Sequence, residues 1–166
     1  LNFGYPGGPV VTEFAKKGKS GVIDFPIPMK NSGDLNFSFS GIKTAALYKS
    51  KELREQNIPE KEWVYDFCRG FVDAVYESIA IKLSKTIEQY PSVKYVLVGG
   101  GVFNSEEILR RVGSLVRGYS LEYLYPKKDF RGDNGGMIGL VGYLHMDDAI
   151  IGNQLDRLDR DPRLSL

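Results

Sequence analysis

The chain has 166 residues, enough for one domain with a core of its own. Its 42% hydrophobic and 26% charged content is that of a folded globular protein, which argues against general disorder. A formal net charge of +1 excludes a chain-wide attraction to nucleic acid or anionic lipid and leaves only a local basic face open.

The first residue is Leu1, and the chain runs almost at once into Tyr5-Pro6-Gly7-Gly8-Pro9. That start reads as a cut inside a longer protein. Pro9 suits a first helical turn and Gly18 a stop, so a short helix is expected from Pro9 to Lys17. Residues 22–29 read as an extended edge segment, because Pro26 and Pro28 bar it from the middle of a sheet. Residues 36–40 alternate polar and aromatic side chains, the pattern of a half-buried strand. Gly41 then turns the chain into a helix over about residues 42–51.

Pro59 opens the longest expected helix, and Pro91 bounds it. Phe67, Phe71, Val75, Ile79, Leu83 and Ile87 recur every four residues and form one apolar stripe for the core. Cys68, beside the stripe, reads as buried filler, since no histidine lies near it in sequence. Residues 93–98 read as a buried strand that runs into Gly99-Gly100-Gly101 and a helix over about residues 105–117. Asn104 or Ser105 can cap that helix, with Glu106 and Glu107 favourable in its first turn. Residues 121–125 form a second strand, closed by Pro126. Asp133 reads as the N-cap of a last helix reaching about Ala149, and residues 151–166 as a charged tail or docking arm. The order of elements is α/β, with ligands expected at the carboxyl ends of strands.

One cysteine excludes an internal disulfide and makes an intracellular, cytoplasmic home the expectation. One cysteine and one histidine, His145, exclude a Cys/His zinc site built from this chain alone. No apolar run approaches the roughly 20 residues of a membrane helix. Ser38, Ser40 and Thr44 have no accompanying base, so local hydrogen bonding fits them better than nucleophilic catalysis.

Three glycine junctions stand out. Gly7 and Gly8 lie between prolines, as a loop does or as a turn that lets backbone approach a ligand. Gly99-Gly100-Gly101-Val102-Phe103-Asn104 joins a strand to a helix, where backbone N–H groups suit a phosphate or a sugar hydroxyl. It is neither the dinucleotide fingerprint nor a P-loop. Asp133-Asn134-Gly135-Gly136 places two glycines in a first helical turn, at a cost of roughly 1 kcal/mol each against alanine. Close approach of a ligand, such as a cation held by the Asp133 carboxylate, would account for that cost.

The junctions are more specific together than apart. Tyr5-Pro6-Gly7-Gly8-Pro9, Phe25-Pro26-Ile27-Pro28-Met29, Phe37-Ser38-Phe39-Ser40-Gly41-Ile42-Lys43-Thr44, Gly100-Gly101-Val102 and Asp133-Asn134-Gly135-Gly136-Met137-Ile138 follow in order. This series resembles the carboxy-terminal half of the TsaD family, which includes the Kae proteins and was long labelled O-sialoglycoprotein endopeptidase or glycoprotease. The resemblance spans about residues 1–146.

The resemblance implies one lobe, about residues 1–150, of the two-lobed fold of actin, sugar kinases and heat-shock chaperones. It implies an acyltransferase that moves threonylcarbamoyl from threonylcarbamoyl-adenylate (threonylcarbamoyl-AMP) to N6 of the tRNA adenosine 3′ of the anticodon. It implies one divalent metal, iron or zinc, held by Asp133 and by two histidines of an HxxxH motif in the absent amino-terminal half. Gly7, Gly8, Gly100 and Gly101 would line the substrate, with Asn104 matching the family's binding asparagine and Ser105 as the fallback. Protein partners of the TsaB/TsaE type or the Bud/Pcc/Cgi type are implied as well, and no membrane.

Departures accompany the match. One residue is missing between Val102 and the asparagine, Ile27 stands where arginine is usual, and Arg131-Gly132 replaces the common cysteine-threonine. The altered turn favours an alternative, a non-catalytic scaffold paralogue. The protease label finds no HExxH and no general base here.

Overall fold

A computed structural model describes Gly4 and residues 6–148 of the chain. Tyr5, Ala149 and the tail expected at residues 151–166 lie outside the described residues. The chain divides into two compact units, Leu1–Gly132 and Asp133–Leu166.

In the first unit, α1 (Gly7–Ala15), α2 (Ser40–Glu55), α3 (Glu60–Gln89), β1 (Tyr95–Leu97), α4 (Glu106–Gly118) and β2 (Glu122–Leu124) follow in order. The architecture is mixed α/β and mostly helical. β1 and β2 pair in parallel, Val96 opposite Tyr123, with α4 as the crossover between them.

α3 is the spine of this unit, and α1, α2 and α4 all pack on it. A four-residue recurrence advances about 400° on a helix of 3.6 residues per turn, so the stripe drifts around the axis. Phe67, Ile79 and Ile87 are buried, whereas Phe71, Val75 and Leu83 are half-buried against the core. Trp63, Val64, Cys68, Val72 and Ala74 widen the buried front beyond a single stripe, because helices meet α3 from several sides. Cys68 is fully buried, and desolvation pushes its thiol up to about 11. α4 is amphipathic, with Ile108, Leu109, Val112 and Val116 buried.

Neither the extended edge segment expected at residues 22–29 nor the strand expected at residues 36–40 joins the sheet of β1 and β2. Residues 22–29 are irregular, and Ile23 and Phe25 are buried side chains of a loop laid on α3. Pro26 and Pro28 lack the N–H a ladder needs, and the Phe25 ring meets Phe67 edge-on at 5.1 Å instead. Gly70 makes this approach possible, because a Cβ there would overlap the Ile23 carbonyl oxygen. Residues 36–39 are also irregular, and Ser40 already belongs to α2. The Phe37 and Phe39 rings pack on each other at 5.3 Å, so the alternation records a local ring pair. The strand expected as buried is short and half exposed. Tyr95 is 55% and Leu97 73% exposed, since no described element of the unit covers that face of β1.

In the second unit, α5 spans Gly135–Leu144, followed by a short 3-10 turn at Met146–Asp148. His145 is the C-cap of α5, and its N–H donates to the Val141 carbonyl at 3.1 Å.

Candidate functional site

The first glycine pair is not a turn. Gly7 and Gly8 form the first turn of α1, two residues ahead of the expected start at Pro9. Among the described residues nothing stands within 4 Å of where a side chain would begin at either position. The Gly8 carbonyl accepts from the Thr12 hydroxyl at 3.0 Å. The pair thus offers a helix start with no described side chain over it.

The second junction leaves β1 through Gly100, whose φ of 91° and ψ of 162° lie in a region that only glycine adopts readily. Gly101–Asn104 form a 3-10 turn, closed by Phe103 N–H donating to the Gly100 carbonyl at 3.0 Å. Ser105 is the N-cap of α4, its hydroxyl accepting from Ile108 N–H at 3.4 Å. Capping therefore engages Ser105 and leaves the Asn104 amide for another role. The Asn104 Nδ2 faces the loop before the next helix, 3.3 Å from where a Cβ at Gly132 would sit.

That loop is tied to the turn by Arg131, which the sequence presented only as a departure. Arg131 is 8% exposed. Its Nε donates to the Pro126 carbonyl at 3.0 Å, and its Nη1 donates to Glu106 at 2.7 Å and to the Phe103 carbonyl at 3.4 Å. Its own carbonyl accepts from Gly100 N–H at 2.6 Å. One side chain and its backbone thus fix the glycine turn, the start of α4 and residues 126–131 together. A lone arginine in a glycine-flanked loop carries no periodic signal, so sequence patterning could not find it.

A second missed cluster orients α4 on α3. Asp73 accepts from Ser20 Oγ at 2.6 Å and from Arg69 Nη2 at 2.7 Å, and pairs with Arg111. Glu107 pairs with Arg69 at 2.7 Å, and the Arg111 guanidinium lies 3.8 Å from the Tyr76 ring centre. Burial pushes the Asp73 carboxyl up, but the hydrogen bonds from Ser20, Arg69 and Arg111 outweigh it and hold the group below the usual carboxylate range. The i,i+4 pairs Arg69/Asp73 and Glu107/Arg111 were the available sequence signal.

At the third junction the expected cap is corrected. Asn134, not Asp133, is the N-cap of α5, its Oδ1 accepting from Met137 N–H at 3.0 Å. Either residue type can cap, and the side chain one residue closer to the helix does so. The Asp133 carboxylate is exposed and makes no hydrogen bond or ion pair among the described residues. It is therefore a hard oxygen donor with no partner among the described residues, as one ligand of a cation would be. Among the described residues no three His, Cys, Asp or Glu side chains gather into a metal-binding group. The fit is that of one contributed donor, not of a complete site.

Ser38, Ser40 and Thr44 make local bonds only. Ser38 Oγ accepts from Ser40 N–H at 3.3 Å, and Thr44 Oγ1 donates to the Ser40 carbonyl at 3.1 Å. No described helix is long and apolar enough to cross a membrane.

The family model described as TsaD: tRNA N6-adenosine threonylcarbamoyltransferase matches residues 1–140. The chain belongs to this family. A tRNA N6-adenosine threonylcarbamoyltransferase of Paraburkholderia xenovorans is 38% identical over 146 residues, covering 88% of this chain and 42% of the relative. Enzymes of the same name from Polynucleobacter asymbioticus and Ralstonia pickettii are each 35% identical over 150 residues, with the same coverage. The chain thus spans 42% of the length of these curated relatives, in agreement with the carboxy-terminal half that its motifs resemble. All three glycine junctions fall within the matched residues.

Proposed function

We propose that this chain is the carboxy-terminal lobe, of the actin and sugar-kinase type, of a tRNA N6-adenosine threonylcarbamoyltransferase. The observation that carries the reading is the family match over residues 1–140, which takes in all three glycine junctions. The full protein transfers threonylcarbamoyl from threonylcarbamoyl-adenylate to N6 of the adenosine 3′ of the anticodon. Protein partners and a cytoplasmic setting belong to the same reading.

The residues have distinct tasks in it. The glycine start of α1 at Gly7 and Gly8, with no Cβ of its own, lets a substrate approach the helix backbone closely. Gly100 sets the turn, and Gly101 and Asn104 offer backbone and amide donors for ribose and phosphate. Ser105 holds α4 in place by capping it and contacts substrate only if Asn104 does not. Asp133 supplies one carboxylate oxygen to a divalent iron or zinc ion whose other protein ligands are two histidines outside this chain. When bound, that ion can polarise the carbamoyl carbonyl or steady the adenylate phosphate. No covalent nucleophile is needed, because the adenylate is already an activated donor and the adenosine amine is the attacking group.

The test is a transfer assay on unmodified tRNA with threonylcarbamoyl-adenylate, read by nucleoside mass analysis. The full-length protein with its metal and partners yields threonylcarbamoyladenosine, and this chain alone yields none. Turnover by the isolated chain, or none by the full protein, would overturn the reading.

A further inference from the structure

Between α4 and β2 lies a cavity of about 180 Å3, bounded by Glu106, Leu109, Arg110, Arg117, Tyr123 and Tyr125. Tyr123 of β2 and Tyr125, the residue just after its end, have ring centres 5.3 Å apart, while strand alternation turns Glu122 and Leu124 to the other face from Tyr123. Leu109 is buried and closes the inner wall. Arg110 and Arg117 stand about two turns apart on α4, both exposed. Neither has an ion-pair partner among the described residues.

Other guanidinium groups of this unit are committed. Arg69 and Arg111 pair with Asp73 and Glu107, Arg54 with Glu60, and Arg131 with Glu106. That last pair neutralises the one carboxylate in the cavity lining. The cavity therefore carries two uncompensated positive charges in a chain whose net charge is only +1. Lys127 and Lys128 follow Tyr125 and Pro126, both exposed and without an ion pair among the described residues. The Tyr123 hydroxyl is buried and has no hydrogen-bond partner among the described residues. The Tyr125 ring is half exposed, with the Arg131 guanidinium 5.3 Å from its centre.

A solvated arginine pair alone would ask for no ligand. Unpaired guanidiniums two turns apart, beside an exposed ring and two lysines, match the phosphate-plus-stacking pattern by which proteins hold unpaired RNA. We propose that this cavity is an RNA contact, in which Arg110 and Arg117 meet backbone phosphates and Tyr125 stacks on a base. The choice of RNA over an acidic protein rests on the transferase reading, in which tRNA is the acceptor.

The test is equilibrium binding of unmodified tRNA to the full-length protein over a range of salt concentrations. It compares Arg110→Gln/Arg117→Gln, Tyr125→Ala and a control, Lys43→Gln/Lys51→Gln, with exposed lysines on α2. Because the altered side chains are exposed, unchanged melting temperatures certify folding. The double arginine variant is expected to bind about tenfold more weakly, with a plot of log affinity against log salt shallower by about 1.5. Tyr125→Ala is expected to lose about fivefold or more with the salt slope kept, since stacking carries no charge. The control is expected to bind like wild type. Unchanged binding and slope in the arginine variant, or an equal loss in the control, would overturn the proposal. So would normal tRNA binding with loss of a protein partner. Binding requires no turnover, so a wild-type protein that binds tRNA through this cavity but transfers nothing refutes the transferase reading alone.

Discussion

Replacing Arg131 by alanine should loosen the glycine turn without touching it. The Pro126 carbonyl loses a charged donor at 3.0 Å, worth about 1.5 kcal/mol. The Phe103 bond, at 3.4 Å, is long and counts for about 0.5 kcal/mol. Glu106 is 65% exposed on its side chain, so solvent screening reduces that pair to about 0.5 kcal/mol. Lost packing of the buried stem adds about 0.5 kcal/mol, for a local loss of about 3 kcal/mol. The assay is native-state hydrogen exchange, followed by mass, in the full-length protein. Residues 99–106 should exchange on the order of a hundredfold faster, while the centre of α3 keeps its protection. Arg131→Lys, which keeps the charge but not the fork of donors, should recover only part of the protection. Unchanged exchange at residues 99–106 in Arg131→Ala would refute the claim that this side chain holds the turn.

Three further outcomes follow from the packing. Gly70→Ala gains about 1 kcal/mol of helix propensity, but its Cβ overlaps the Ile23 carbonyl, a backbone atom that cannot rotate away. Overpacking at about 1–3 kcal/mol wins, so denaturant unfolding should show a net loss of about 1 kcal/mol, and a gain would contradict the close approach. Asp73→Asn should weaken the α3–α4 contact most at neutral pH. The folded Asp73 carboxyl lies below its unfolded value, so its contribution is present above that value and is lost as pH falls through the folded one. In acid the wild-type and Asp73→Asn stabilities should therefore converge, and a constant gap would count against the ion-pair cluster. Cys68, pushed up to about 11 by burial, should resist thiol alkylation at pH 8 in the native protein and react once it is unfolded. Its folded value lies above the unfolded one, so stability should fall as pH rises from the ordinary thiol range toward 11. Rapid native labelling would place the thiol outside the core.

The sequence announced the parts of the fold that local physics decides. Pro59 and Pro91 bracket α3, and Ser105 with its two following glutamates marks the start of α4. The edge segment at residues 22–29 and the strand at residues 36–40 misled because alternation and prolines describe side-chain placement, while a place in a sheet also needs a ladder partner. Phe25 found Phe67, and Phe37 found Phe39, without any sheet. Asp133 and Asn134 are equal as caps by composition, and only backbone geometry assigns the role to Asn134. The glycine junctions were legible as a series. Arg131 was not, because its partners lie at Pro126, Phe103 and Glu106, at separations no helical or strand period connects.

Under the transferase reading, this lobe contributes one ligand, Asp133, to a catalytic metal completed elsewhere in the full protein. Metal content per chain, measured together with tRNA threonylcarbamoylation, tests it most directly in full-length wild type and Asp133→Ala. About one iron or zinc per wild-type chain is expected, with both the metal and the transfer largely lost in the variant while the fold is kept. A variant that retains the metal and the wild-type transfer rate would contradict it.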